Sequence, residues 1–429
     1  MRAVTSPLRI GVAGLGTVGA GVLNVLASSA ELITARAGRP MQVVAVSARD
    51  RSRDRGLNLS CVDWYDDPVA LATDADVDVV VELIGGADGP ARALVTAALA
   101  QGKPVVTANK ALIAHHGAAL AALPGAVLLF EAAVAGGIPV LKALREGLAG
   151  NRILSVAGIL NGTCNYILTT MRNERRDFDA VLADAQRLGY AEADPAFDID
   201  GVDAAHKLAI LAALALNGPV DFATVYVEGI RQVSAQDIAH ADDLGYRVKL
   251  LGIARRTASG CELRVHPCMV PITNPIALVD GVNNAVVIEG DAVGRIMLEG
   301  RGAGAGPTAS AVVADLIDIA RGRTGPAWGA DRGEPVAVTP MLHHTGAYYL
   351  RLMVQDRAGV IADVTAALRD AGVSLESMLQ RGRGTESDTV AVVLVTHDTT
   401  EDSIRRALAA IGALPSVVAP PALIRIEPT

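Results

Sequence analysis

A glycine-rich segment near the N-terminus constrains the possible folds more than any other feature of the sequence. A β-branched run at residues 10–12 leads directly into this segment, and an apolar helical pattern follows it. A G-x-G-x-x-G segment between a strand and a helix is typical of dinucleotide-binding folds, because its glycines permit the tight turn, the approach of pyrophosphate and the packing of helix on strand. We therefore expect a dinucleotide to bind at the start of the helix. The predicted binding residues are Gly14, Leu15, Gly16, Thr17, Val18 and Gly19.

Short apolar runs alternate with helical patterns throughout the first third of the chain. The predicted strands lie near residues 10–12, 43–46, 77–81, 105–107 and 127–129. Strands separated by helices predict an α/β fold with a parallel, doubly wound sheet. We therefore predict a Rossmann-type dinucleotide-binding domain over residues 1–131, completed by an apolar helix at about 307–321.

The remaining sequence has two further patterns. A chain of 429 residues is longer than one hydrophobic core usually supports, so several domains are expected. Residues 132–306 mix strands and helices and predict an α+β domain for substrate binding and catalysis, and the polar run 322–346 predicts a linker. Residues 347–429 follow a β-α-β-β-α-β order, typical of a ferredoxin-like module.

Charge, cysteine content and hydropathy exclude several classes of protein. The formal charge of −8, without a basic stripe, argues against a nucleic-acid partner. Four cysteines without zinc or disulfide spacing indicate a reducing cytoplasm. The first residues lack the apolar region of a signal peptide, and the apolar runs are too short to span a bilayer, so we expect a cytoplasmic protein that is not in the membrane.

The residues after the second predicted strand bear on the choice of cofactor. An NAD preference usually places an acidic residue there, but this chain has Ser47, Ala48 and Arg49. The sequence therefore favours NADP, with NAD still possible. Arg49, with Arg51 or Arg53, either binds the 2′-phosphate or belongs to a solvated basic loop, and the sequence leaves both open.

Carboxylates and a lysine cluster between residues 189 and 207. Asp203 and Lys207 are four residues apart, so on a helix they share a face, and a lysine near a nicotinamide can donate a proton to a carbonyl oxygen. The alternative is an Asp200 helix cap and an ordinary surface pair, which the spacing alone favours. His206 is more simply a structural or exposed residue.

Five motifs together resemble the homoserine dehydrogenase family. They are GVAGLGTVG from residue 11, VELIGG from 81, VVTANKAL from 105, NGTCNYIL from 161 and GYAEADPAFDIDGVDAAHK from 189. The resemblance runs in order over residues 8–321. It implies an NAD(P)-dependent oxidoreductase that interconverts L-homoserine and L-aspartate 4-semialdehyde in the synthesis of threonine, methionine and isoleucine.

The resemblance also implies roles for individual residues. Lys207 is similar to the family's proton donor, with Asp203 and Lys110 as catalytic partners and Thr107 and Asn109 beside them. The implied substrate-binding carboxylates are Glu192, Asp198 and Asp203. Lys110, Gly189 and Gly306 are implied to contact the cofactor. The backbone carbonyls implied to bind a monovalent cation, commonly sodium, are those of Glu131, Val134, Gly136 and Ile138.

The C-terminal module resembles an ACT domain. Such modules bind amino acids at the first strand-to-helix turn, which here contains Asp356 and Gly359. The resemblance implies an amino-acid effector, with threonine as the expected inhibitor, and a homodimer or homotetramer. The alternative is an assembly module without a ligand.

Two other functions were weighed against this one. An acylating semialdehyde dehydrogenase would use Cys164 as nucleophile, but the sequence offers no nearby histidine as its base. A non-catalytic sensor of dinucleotides and amino acids would not need Lys207 and its carboxylates, which are present.

Overall fold

A six-stranded parallel sheet forms the N-terminal part of the protein. The computed structural model describes residues 6–258, 260–329, 337–380 and 389–428. The sheet order is β3-β2-β1-β4-β5-β6, and every neighbouring pair is parallel. This is the strand order of a Rossmann-type domain. The strands of the chain are β1 (Leu8–Ala13), β2 (Met41–Ser47), β3 (Asp63–Tyr65), β4 (Val79–Glu82), β5 (Val105–Thr107), β6 (Leu128–Leu129), β7 (Ile153–Ile159), β8 (Tyr226–Val227), β9 (Tyr246–Thr257), β10 (Gly260–Pro271), β11 (Asn283–Gly290), β12 (Gly294–Arg301), β13 (Thr345–Gln355), β14 (Leu375–Gln380), β15 (Thr389–Thr396), β16 (Thr399–Thr400) and β17 (Ala422–Ile426).

Helices follow most strands of the parallel sheet, as the alternating pattern predicts. A π-helical turn, Ala143–Gly147, directly follows the sixth helix. The α-helices are α1 (Thr17–Ser28), α2 (Ala30–Ala37), α3 (Pro68–Thr73), α4 (Pro90–Ala100), α5 (Lys110–Ala121), α6 (Val140–Lys142), α7 (Gly162–Glu174), α8 (Phe178–Arg187), α9 (Ala196–Ile199), α10 (Val202–Ala215), α11 (Ala235–Asp243), α12 (Ala305–Ala320), α13 (Val360–Asp370) and α14 (Glu401–Gly412).

The chain divides into two units. The first comprises Met1–Gly162, Asp203–Val225 and Val282–Val336, and the second comprises Thr163–Val202, Tyr226–Gly281 and Ala337–Thr429. Each unit is therefore assembled from separate stretches of the sequence.

In the first unit, α12 packs against α1 although nearly 300 residues separate them. Val312 of α12 belongs to the same buried core as Ile10 and Val12 of β1. A Cβ atom at Gly21 would lie 2.7 Å from the Ala305 carbonyl oxygen, so only glycine permits this close approach. The apolar pattern near 307–321 thus corresponds to a helix that covers the parallel sheet. The same unit contains the antiparallel set β7-β11-β12.

The second unit contains a sheet with the order β9-β10-β17-β13-β15-β14. β9 and β10 form a long antiparallel pair, and β10 runs parallel to β17, with Cys268 opposite Arg425. The four strands β13, β14, β15 and β17 pack with α13 and α14 in the β-α-β-β-α-β order expected from the sequence. Because β17 is paired with β10, the C-terminal module and the β9–β10 pair share one sheet.

Within the described residues, no single helix is long and apolar enough to cross a membrane. Helices α1 and α2 taken together are long and apolar enough by length and composition alone, but a bend of 82° separates them.

We predict that Gly21→Ala destabilises the protein by about 1–3 kcal/mol, because the added methyl group forces α1 away from α12. Gly147→Ala is the matched control, since this exposed glycine has open space around its Cβ position. Thermal or urea unfolding measures both variants. Equal stability of Gly21→Ala and the wild-type protein would show that the α1–α12 contact is not tightly packed.

Candidate active site

The glycine-rich loop has the geometry that a dinucleotide requires. Gly14 has φ +98°, and a Cβ there would lie 2.4 Å from the Leu83 carbonyl oxygen. A Cβ at Gly19 would lie 2.0 Å from the Gly14 carbonyl oxygen, whereas Gly16 faces open space. Gly16 is the N-cap of α1 and provides no side-chain cap, so the first amides of α1 remain available to phosphate oxygens.

A cleft of about 710 Å³ adjoins this loop. Arg49 is exposed and lines the cleft, as do Arg53 and Arg55, whereas Arg51 is not among the lining residues. The Nε atom of Arg55 donates to the Leu15 carbonyl oxygen at 3.1 Å, and its Nη2 donates to the Asp50 carbonyl oxygen at 2.7 Å. Arg55 therefore joins the basic loop to the glycine-rich loop. Sequence reasoning missed this residue, because its partners are backbone atoms.

The carboxylate of Glu82 connects the VELIGG and TANK motifs. Glu82 is fully buried, and it accepts hydrogen bonds from the Thr107 hydroxyl at 2.6 Å and from the amides of Ile84 and Gly85. Asn109 then caps α5 by accepting from the Leu112 amide. These contacts fix the first turn of α5, where Lys110 lies. The sequence contained Glu82 within a motif but gave no sign of this role.

Asp203 lies at the centre of a buried cluster of charged groups. Its Oδ1 atom is 2.8 Å from the Lys110 Nζ atom, and its Oδ2 atom is 2.7 Å from the Lys207 Nζ atom. The Asn161 amide also donates to Oδ2 at 2.8 Å, and Lys207 donates to the Leu160 carbonyl oxygen at 2.7 Å. Burial acts to raise the pKa of Asp203, but the charges of Lys207 and Lys110 overcome it and hold this pKa well below its usual value.

This burial excludes the surface-pair interpretation of the Asp203–Lys207 spacing. The side chains of Asp203 and Lys207 are only 4% and 10% exposed, so the pair is not a solvated surface contact. Asp200 forms an ion pair with Arg231, and α10 begins only at Val202. The cluster thus places two lysine ammonium groups around one ionised carboxylate.

His206 of α10 packs against His115 of α5 and against Phe222. Its ring stacks on Phe222 at a centroid distance of 4.4 Å, and its Nε2 atom is 3.1 Å from the Nε2 atom of His115. This buried aromatic packing agrees with the structural role expected for His206.

Residues 189–200, in the second unit, contain the other predicted carboxylates. Gly189 has φ +77° after the end of α8, Glu192 is exposed and Asp198 is half-buried in α9. Two backbone contacts from α7 hold this segment: Thr163 donates to the Tyr190 carbonyl oxygen, and Cys164 donates to the Asp198 carbonyl oxygen at 3.3 Å. Cys164 is buried, and this contact gives its thiol a structural role.

The loop predicted to bind a cation is irregular and buried. Ala135 and Gly136 have φ +53° and +39°, and Glu131, Val134, Gly136 and Ile138 are all buried. The Glu131 carboxylate accepts from the Leu141 and Lys142 amides at the start of α6, and burial together with Asp315 raises its pKa to about 7. Its side chain is therefore engaged, which leaves the backbone carbonyl as the group suited to a cation.

Two further predicted residues lie at the starts of helices. Gly306 is exposed in the first turn of α12. Gly359 has φ +94° and is the N-cap of α13 without a side-chain cap, and Asp356 is exposed in the same turn.

Three family models match the chain. They are the NAD-binding domain of homoserine dehydrogenase over residues 14–126, homoserine dehydrogenase over 139–317 and the ACT domain over 348–416. The ACT match agrees with the β-α-β-β-α-β order of the C-terminal module.

Curated relatives match nearly the whole chain, and solved structures match 73% to 99% of it. The homoserine dehydrogenases of Pseudomonas aeruginosa and Neisseria gonorrhoeae are 48% and 46% identical, each covering 98% of this chain and 99% of the relative. A crystal structure of the Thiobacillus denitrificans enzyme has a TM-score of 0.92 at 48% identity, with 99% of both chains covered. A hyperthermophilic archaeal homoserine dehydrogenase in complex with NADPH has a TM-score of 0.62 at 28% identity, covering 73% of this chain and 97% of the other.

Matches of this identity and coverage, together with the dinucleotide-binding loop and the buried cluster around Asp203, show that the chain belongs to the homoserine dehydrogenase family.

Proposed function

We propose that this homoserine dehydrogenase uses Lys207 as the proton donor in the reduction of L-aspartate 4-semialdehyde to L-homoserine. The observation that carries the proposal is the buried Lys110–Asp203–Lys207 cluster, which lies in the same unit as the dinucleotide-binding loop. When bound, the nicotinamide supplies hydride to the aldehyde carbon. Lys207 then gives a proton from Nζ to the carbonyl oxygen, and in the reverse direction neutral Lys207 takes the proton from the hydroxyl group.

The carboxylates have complementary roles in this mechanism. Asp203 orients Lys207 and Lys110 through its two oxygen atoms. The single negative charge of Asp203 therefore interacts with the positive charges of both lysines. The negative carboxylates of Glu192 and Asp198 are suited to bind the positive ammonium group of the substrate. Gly189 and Gly306 suit close approach of backbone to cofactor.

NADP is the proposed preferred cofactor. Three arginines line the cleft beside the glycine-rich loop, and the residues directly after β2 include no acidic group until Asp50. The likeness to an archaeal relative solved with NADPH supports this choice. The fit to a dinucleotide itself rests on the glycine geometry, since Gly16 leaves room for pyrophosphate.

A monovalent cation such as sodium is proposed at the loop of Glu131, Val134, Gly136 and Ile138. An irregular loop frees backbone carbonyls, and oxygen ligands suit a hard cation. The Ile138 carbonyl also accepts from the Val140 amide at 2.7 Å, so it would be shared. We further propose that the protein is a cytoplasmic homodimer or homotetramer. The proposed domain boundaries are those expected from the sequence, with domains at residues 1–131, 132–306 and 347–429 and a linker at residues 322–346.

Activity of the wild-type protein is the first test. Purified protein with L-homoserine and NADP or NAD should generate absorbance at the reduced-nicotinamide band. No rate with either cofactor would contradict the proposed function.

Lys207→Ala should lower kcat by about 100-fold or more, because a lost general acid is felt in the transition state. The Kd of the nucleotide, measured by fluorescence titration, should change by less than about twofold. Lys103→Ala is the control, since Lys103 donates to the Ala72 and Ala75 carbonyl oxygens. If kcat falls less than about twofold, the acid must be sought elsewhere, with Lys110 next.

Arg49→Ala should raise the KM for NADP by about 10- to 100-fold, the value of one charged hydrogen-bonded contact, and change the KM for NAD little. Arg51→Ala is the matched control, because Arg51 lies in the same basic loop but does not line the cleft. Equal effects of Arg49→Ala on both cofactors would identify Arg49 as an ordinary loop residue.

The ACT turn is proposed to bind an amino acid, with L-threonine as the first effector to test. The carboxylate of threonine suits the uncapped amides at the start of α13, and Asp356 suits the ammonium group of threonine.

Gly359→Asp should abolish inhibition, because the added negative charge repels the carboxylate of the effector. Gly359→Asn is the matched control, since asparagine tolerates the same positive φ without the charge. If the wild-type rate does not respond to threonine, isoleucine, methionine or lysine at millimolar concentrations, the module is an assembly element.

A further inference from the structure

A buried arginine in the last strand joins the C-terminal module to a segment outside it. Arg425 of β17 is fully buried, and its guanidinium donates to both carboxylate oxygens of Glu401 in α14, at 2.9 and 2.5 Å. Its Nη1 atom donates to Glu228 Oε2 at 2.9 Å. The Tyr226 hydroxyl donates to the same Glu228 oxygen at 2.8 Å and accepts from Arg425. Glu228 and Tyr226 are therefore the partners of this arginine outside its own module, and Glu228 is the charged one.

The residues after Glu228 pack directly on the end of the segment that carries the predicted substrate carboxylates. The Ile230 amide donates to the Ile199 carbonyl oxygen at 2.8 Å, and Arg231 forms an ion pair with Asp200. A Cβ at Gly229 would lie 2.2 Å from the Ile199 carbonyl oxygen, so the two backbones are in close contact. A shift of residues 228–231 would therefore shift residues 199–200.

Two sets of contacts hold the ends of residues 190–200, and the Gln186 side chain also donates to the Glu192 and Ala193 carbonyl oxygens. Thr163 and Cys164 of α7 bind the carbonyl oxygens of Tyr190 and Asp198, whereas residues 229–231 hold Ile199 and Asp200. Asp198 belongs to the first set through its carbonyl oxygen and directly precedes Ile199 of the second. Its position depends on both, and only the second leads through Glu228 to the C-terminal module.

We propose that Glu228 is a positioning residue for substrate binding, which transmits the placement of β17 to Asp198 through its ion pair with Arg425. This inference rests on the proposed role of Asp198 in binding the substrate ammonium group. Glu228 is suited to the task because its side chain is 35% exposed, while Arg425 and Glu401 are fully buried. A movement of β17 can stretch the Glu228 contact while the Arg425–Glu401 pair stays intact.

A second ionic contact between the module and the rest of the unit provides a matched comparison. The guanidinium of Arg351 in β13 donates to both carboxylate oxygens of Asp237 in α11, at 2.7 and 3.1 Å. The Tyr349 hydroxyl also donates to Asp237. In the described residues, no hydrogen bond or ion pair links Arg351 or Asp237 to residues 228–231 or 198–200. Asp237→Asn therefore changes the docking of the module with the same chemistry as Glu228→Gln, but away from the substrate segment.

The test measures KM for L-homoserine, kcat, nucleotide Kd and thermal unfolding for the full-length wild type, Glu228→Gln, Glu228→Ala and Asp237→Asn. Glu228→Gln should raise KM for homoserine by about tenfold, and Glu228→Ala by more, with nucleotide Kd within about twofold of the wild-type value. Asp237→Asn should lower the unfolding temperature but leave this KM within about twofold.

Two outcomes would overturn the inference. One is an unchanged KM for homoserine in both Glu228 variants, and the other is an equal rise of KM in Asp237→Asn, which would indicate general loosening of the module. Wild-type activity with homoserine separates these outcomes from failure of the proposed function, since an inactive wild type contradicts the function itself. Should Glu228→Ala be recovered unfolded, Glu228→Gln alone decides, because it preserves the shape of the side chain.

Discussion

The buried carboxylate of Asp203 is the charge around which the first unit is arranged. An isolated carboxylate in a protein interior is unfavourable, and removing one partner of a buried ion pair costs about 3–5 kcal/mol. Asp203 has two ammonium partners, Lys110 and Lys207, and an amide donor, Asn161. Charge compensation therefore fixes α5, α10 and the residues after β7 relative to one another. The same requirement brings two lysines to one carboxylate, the buried Lys207 and the partly exposed Lys110, and it orients Lys207, the proposed proton donor.

A second buried carboxylate, Glu82, organises the carboxyl ends of the parallel strands. It links β4 to the hydroxyl of Thr107 at the end of β5, and it orders the glycine-rich turn that follows β4. In sheets of this topology ligands bind at the carboxyl ends of the strands. Glu82 thus supports the cofactor cleft on one side and the first turn of α5, with Lys110, on the other. The cofactor loop and the lysine cluster share this support.

The C-terminal module is joined to its unit by backbone pairing and by buried charge. β17 extends the sheet of β10, and Arg264 of β10 forms a buried ion pair with Glu427. Arg425 and Arg351 add contacts to Glu228 and to α11. Such contacts have discrete geometries, so a change in the module is transmitted as a shift of specific elements. A module attached in this way differs from one that is tethered only through a linker.

The sequence by itself determined the elements whose patterns are local. Strands β1, β2, β4 and β5, the helix α12 and the order of the C-terminal module follow from periodicity and turn residues, and the resemblance of five motifs supplied the catalytic candidates. The short strand β3 was missed, since its residues Asp63, Trp64 and Tyr65 do not form an apolar β-branched run like that of β5. Spacing alone favoured an exposed Asp203–Lys207 pair, because a four-residue separation is the same on a surface and in a core. Only the tertiary structure decided the burial of that pair and the contacts of Glu82, Arg55 and Glu228, because their partners lie far away in the sequence or are backbone atoms, which leave no pattern of their own.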